Sequence, residues 1–148
     1  MSTKHLLAAI AACAALTGVS ASANADDHAY TEGGVVNVAR IRTMDGHFDD
    51  YMKWLDTTWK QEEEAAKKAG YITSYEVLTV EPRGPDDADI LLVVRSKNWA
   101  SLDGALAKSD AIAKQIEGSV AASNQAQADR AKIRRVLGSS TMQVLELK

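Results

Sequence analysis

His47, Tyr51 and Trp54, followed by Thr58, are the residues of this chain whose types and spacing could share a chemical task. Steps of three and four residues place them on one stripe of a helix. An imidazole beside two aromatics with polar tips suits two roles: the rim of a core or dimer contact, or one wall of a ligand pocket. Of these side chains, the imidazole is the one suited to carry a proton near neutral pH. Asn37 adds a second signal. In VVNVARI it shares a strand face with Val35, Ala39 and Ile41, so an amide sits among apolar neighbours and needs a partner. Leaving such a group unpaired costs roughly 1–3 kcal/mol. With Tyr75 and Trp99, these residues define a candidate pocket between helix and sheet: Asn37, His47, Tyr51, Trp54, Tyr75 and Trp99. Its expected occupant is a small apolar or aromatic molecule.

Other chemistries find less support. Beyond residue 25 the histidines are His28 and His47, with no HxxxH or HExxH spacing, so no metal site is expected. Asp86, Asp87 and Asp89 lack the spacing and terminal Glu of a calcium loop and read as a solvated turn. No GxSxG is present to anchor a nucleophilic serine. Gly33-Gly34 precedes a strand instead of joining a strand to a helix, so it is no phosphate cradle. Arg130, Lys132, Arg134 and Arg135 form a basic cluster, read as a solvated face, with a site for a carboxylate or phosphate as the alternative.

The elements that must position these residues follow from periodicity. Residues 35–43 alternate and are rich in β-branched types, which predicts a strand. Residues 44–69 predict a long helix, with Asp45 as N-cap and Gly70 as its stop. Phe48, Met52, Leu55, Trp59 and Ala66 form its expected core stripe. Asp49, Lys53, Asp56, Lys60, Glu63 and Lys67 give acid-before-base pairs four apart, the favoured order for a solvated face. Strands are expected over residues 71–81 and 89–96, joined by a loop holding both prolines beyond the leader. Helices follow over 101–117 and 120–137, the latter aligning Ala126, Arg130, Ile133 and Leu137, and a strand over 141–147 closes the chain. The order is β-α-β-β-α-(α)-β, an α+β class of the ferredoxin-like kind: a four-stranded antiparallel sheet with helices on one face. The other sheet face is then bare, and a second copy of the chain is its simplest cover. A homodimer is therefore expected.

The N-terminus reads as a cleavable secretory signal over residues 1–25: a positive start with Lys4, an apolar stretch from Leu6 to Val19, and Ala23-Asn24-Ala25 as a small-x-small cleavage site. The stretch is shorter than the roughly 20 apolar residues a permanent span needs. Ile10-Ala11-Ala12-Cys13 offers a competing lipoprotein box. Residues 26–34 read as a flexible lead and 35–148 as one domain. A periplasmic or secreted location follows. Cys13 is the single cysteine, so disulfides and thiol chemistry are excluded from the remainder. The net charge of −3, with Lys4 as the one charged residue of the first 25, gives no electrostatic reason to bind nucleic acid or an anionic membrane.

The element order, the long first helix, the YITSYEVLTVEPRGPDDADILLVV hairpin and the KNWASLDGAL turn-helix resemble the dimeric α/β-barrel superfamily. That group includes antibiotic-biosynthesis-type monooxygenases and NIPSNAP-like proteins. The resemblance implies the fold and the dimer over residues 35–148 and leaves function open. Its oxygenase branch implies an alternative activity, a cofactor-independent monooxygenase that lets an electron-rich substrate meet oxygen in a dry pocket. Its haem-degrading branch uses a first-strand Asn, a later-helix Trp and an axial His. Asn37 matches, but Leu106 and Ile116 stand at the other two positions. Without an axial histidine, haem breakdown is disfavoured and no cofactor is expected.

Overall fold

The computed structural model describes residues 28–148. The signal sequence expected over residues 1–25 and the alternative box at Cys13 lie outside them. Strand β1 (Tyr30–Thr43) leads through a left-handed turn at Gly46 (φ 79°) into helix α1 (Phe48–Trp54). A π-helical turn (Leu55–Trp59) continues without interruption into α2 (Lys60–Lys68). Gly70 (φ 75°) then ends the rod: Tyr71 N–H reaches Ala66 O at 2.9 Å and Gly70 N–H reaches Lys67 O at 3.0 Å. That pair of bonds satisfies the last carbonyls of a helix whose exit residue is left-handed. Strands β2 (Ser74–Thr79) and β3 (Ile90–Ser96) follow. A 3-10 turn (Trp99–Leu102), capped by Asn98, precedes α3 (Ala105–Glu117), α4 (Val120–Arg130) and β4 (Arg134–Leu147).

The strands form one four-stranded antiparallel sheet in the order β2-β3-β1-β4. This α+β arrangement is compatible with a ferredoxin-like fold. Register fixes the two faces. Asn37 pairs with Val94, Ala39 with Leu92 and Ile41 with Ile90, so Asn37 does share its face with the core positions. Against that face pack Tyr51, Leu55 and Trp59; with Ile41, Ile90 and Leu92 they form the main core cluster. The opposite face carries Val36, Val38, Leu91 and Val93 by the same register, with Leu78 and Met142 beside them, 43% and 46% exposed.

Several local expectations are corrected. The helix begins at Phe48, not Met44, because Gly46 turns the chain first; His47 holds the N-cap place that Asp45 was expected to take, without a capping side-chain bond. The core stripe also differs. Tyr51 is buried at 1% exposure, whereas Phe48 is 40% exposed. Residues four apart on an α-helix drift by about 40°. The wider turn at Leu55–Trp59 rotates the chain back, which keeps Tyr51, Leu55 and Trp59 over the sheet. The second late helix stops at Arg130, and the residues from Arg134 onward are strand, pairing Arg134 with Thr43 and Val136 with Ile41. Non-local pairing with β1 overrides the helical spacing of Ile133 and Leu137. At the other end β1 starts at Tyr30, which pairs with Leu147, so ordered strand enters the stretch read as lead.

Candidate functional site

The first helix presents the candidate residues in two groups. Tyr51 stacks on Trp54, centroids 5.5 Å apart and planes 18° from parallel. The Arg130 guanidinium lies 4.2 Å from the Trp54 ring centre, and that of Arg134 lies 5.8 Å from Tyr51. Two guanidinium groups thus engage the aromatic pair, a favourable arrangement for cations with little water around them. Burial above all pushes the Tyr51 hydroxyl up to about 12, against the lowering charges of Arg134 and Arg130. It stays protonated at neutral pH. Arg130 and Arg134, read from the sequence as part of a solvated face, are both half-buried; that reading holds for Lys132 and Arg135, which are exposed.

Tyr75 belongs to the second group. Its ring meets Trp59 edge-on, 5.3 Å between centroids at 88°. Its hydroxyl donates to Glu64 Oε1 at 2.6 Å, and this bond is the main cause that holds the phenol at about 12. Beside these rings a cleft of about 180 Å³ opens between first helix and sheet, lined by Met52, Leu55, Asp56, Trp59, Lys60, Tyr75 and Val77. Its mouth carries the Lys60–Asp56 ion pair at 3.0 Å.

The other sequence candidates take different partners. Asn37 Nδ2 donates to Thr141 Oγ1 at 2.9 Å, which satisfies the amide across to β4. His47 Nδ1 lies 2.9 Å from Asp50 Oδ2 in a half-exposed pair at the helix start. It borders a broad polar depression with Arg42, Thr43 and Arg135. Trp99 is 50% exposed on the 3-10 turn. The structure therefore joins Tyr51 to Trp54, sets Tyr75 in a separate cleft, and places Asn37, His47 and Trp99 elsewhere.

The acidic turn is occupied by protein partners. Asp86 Oδ1 accepts from Arg135 Nη2 at 2.7 Å, Asp87 Oδ2 from the Arg83 N–H at 3.0 Å, and Asp89 from the Thr43 N–H and hydroxyl. These bonds tie the loop to β1 and β4.

Sequence reasoning missed one set of residues. Glu62 and Glu63 sit where α2 meets α3 and α4, and both carboxyls are pushed above the usual range. For Glu63 the value reaches about 7, caused by burial first and then by the Glu62 charge, against a hydrogen bond from the Trp59 indole. For Glu62 burial again leads, followed by Glu117, with Arg130 opposing. The spacing of Glu63 and Lys67 imitates a surface pair, and no local signal marks the burial.

Together the sheet order and the helix layer define an α+β domain with candidate binding clefts on both sides of one long helix. No family model matches the chain, and no curated protein matches it. Among solved structures it is similar to the crystal structure of HapK from Hahella chejuensis, at 11% identity over 73% of this chain and 90% of that one, with a TM-score of 0.48. Among the described residues no helix is long and apolar enough to cross a membrane.

Proposed function

We propose that the chain is an exported, homodimeric binding protein that holds a small apolar or aromatic molecule between its first helix and its sheet. The carrying observation is the cleft beside Trp59 and Tyr75. Its volume of about 180 Å³ is that of an open cleft with room for one aromatic ring, benzene filling an enclosed cavity of roughly 150 Å³. Met52, Leu55 and Val77 supply apolar contact, and the two rings supply faces and edges for stacking. The Tyr75–Glu64 bond and the Asp56–Lys60 pair put polar groups at the margin, where a single ring bearing a hydroxyl would find partners. The dimer reading rests on the helix-free sheet face, where Leu78 and Met142 are exposed, packed sheet to sheet as an α/β barrel. The export reading rests on the Ala23-Asn24-Ala25 pattern.

The test is direct. Phenol titrated into the full mature protein should quench tryptophan fluorescence saturably, and Val77→Phe, which fills the cleft, should abolish the quench while the dimer mass is kept. Unsaturable quenching, or saturation unchanged by Val77→Phe, overturns the site. Oxygen uptake with dihydroxyaromatic substrates, blocked by the same substitution, would instead assign the cofactor-independent oxygenase activity.

A further inference from the structure

A second cavity, of about 300 Å³, lies where α2, α3 and α4 meet. Interhelical space of this kind is normally filled by apolar side chains to high density. Here Glu62 and Glu63 enter it from α2, Ser109 and Ile112 from α3, and Ser123 and Arg130 from α4. Acceptors, donors and an apolar wall therefore face one half-open cavity.

The charged groups around it are under-coordinated. The Arg130 side chain is 13% exposed, and its Nε has no hydrogen-bond partner among the described residues. Its nearest ion-pair contact, Glu117 Oε1, is 3.7 Å away, beyond hydrogen-bond length. Glu117 lies behind Arg130, outside the cavity lining; it is 10% exposed, and its Oε2 also lacks a partner among the described residues. Buried charged groups ordinarily find their full set of partners, and those that do not call for an occupant.

We propose that this cavity is a binding site for a small zwitterion of the amino-acid type. Arg130 takes the carboxylate, Glu62 and Glu63 take the ammonium group, and Ile112 meets the apolar side chain. A simple anion would face the two carboxylates, and a simple cation would face the guanidinium. A molecule carrying both charges, a few bonds apart, meets each with its opposite. The volume stands at the lower end of small-molecule sites, which suits a ligand of this size.

Calorimetric titration of the full mature chain tests this with three isosteric probes. L-leucine should bind saturably. 4-Methylpentanoate and 3-methylbutylamine, each lacking one charge, should bind at least about tenfold more weakly. Glu62→Gln should lower leucine affinity by about tenfold or more. Arg130 also packs on Trp54, so a second variant avoids it: Ser123→Leu fills the cavity from α4 and should abolish leucine binding, with circular dichroism and melting temperature unchanged. Phenol quenching at the Trp59 cleft should survive Ser123→Leu, which separates this site from the one proposed above. Absence of saturable heat at millimolar leucine, equal affinity for a single-charge probe, or undiminished binding by folded Ser123→Leu overturns the assignment.

Discussion

The two long sides of the first helix are built on opposite principles. Toward the sheet it presents Tyr51, Leu55 and Trp59 to Ile41, Ile90 and Leu92, all buried. Toward α3 and α4 it presents Glu62 and Glu63 to a cavity rimmed by serines and an arginine. The first interface is an apolar cluster, open only at its edge, where the cleft beside Trp59 and Tyr75 lies. The second leaves space and holds charge at a raised free energy. Stability is thus concentrated on the sheet side, and the helix-side interface is left able to admit other molecules, since a void there removes few apolar contacts.

Truncation on the two sides should therefore differ. Leu55→Ala, at a residue 2% exposed, should destabilise the fold by about 3 kcal/mol, within the range for buried leucine. Ile112→Ala, which only enlarges an existing cavity, should cost less than about 1 kcal/mol. Urea midpoints for the two variants measure this. Equal losses would mean the α3–α4 layer is as tightly coupled to the fold as the sheet.

The helix-free sheet face gives the next test. Leu78→Glu and Met142→Glu change residues that are 43% and 46% exposed in the single chain, so monomer stability should move by no more than about 0.5 kcal/mol. If the sheets pair, a charge buried at an interface of more than about 1,000 Å² should weaken dimerisation by tenfold or more. Light scattering across a concentration series reads the shift. A wild-type chain that stays monomeric at micromolar concentration refutes the dimer outright.

The sheet side was legible in the sequence because its signals are local. Alternation of Val35, Asn37, Ala39 and Ile41 marked the inner face of β1, and the apolar run of Ile90 to Val94 marked a central strand. Asn37 was rightly placed on that face, and its partner, Thr141, is a hundred residues away in a strand whose register no local pattern fixes. The same non-local pairing turned the end of the expected last helix into strand. Tyr51 moved from rim to core because the π-helical turn shifts the helical phase, which a regular period cannot anticipate. The acidic cavity was invisible for a further reason. Glu63 and Lys67 have the spacing of a solvated pair, and only the docking of α3 and α4 removes water from Glu63.

That burial predicts a pH dependence. Glu63 is raised from an ordinary 4.5 to about 7 in the folded chain, so the folded state holds the proton more tightly than the unfolded one. Below about pH 4.5 both states are protonated and the group contributes no penalty. Between that value and about 7 the unfolded chain ionises first, and stability falls as pH rises. Above about 7 the full penalty persists. Glu62, also raised, acts in the same direction; burial leads there, Glu117 from α3 adds to the repulsion and Arg130 from α4 partly offsets it. Glu63 is only half-buried and keeps part of its hydration, so the loss across this window should be about 1–2 kcal/mol. Glu63→Gln removes the titration. It should match the wild type at about pH 4.5 and exceed it by about 1–2 kcal/mol at about pH 8, in urea midpoints with unchanged slope. A variant less stable than wild type at the higher pH would show that the ionised carboxylate is held by partners in the folded chain, and that the α2–α3–α4 interface is built for charge after all.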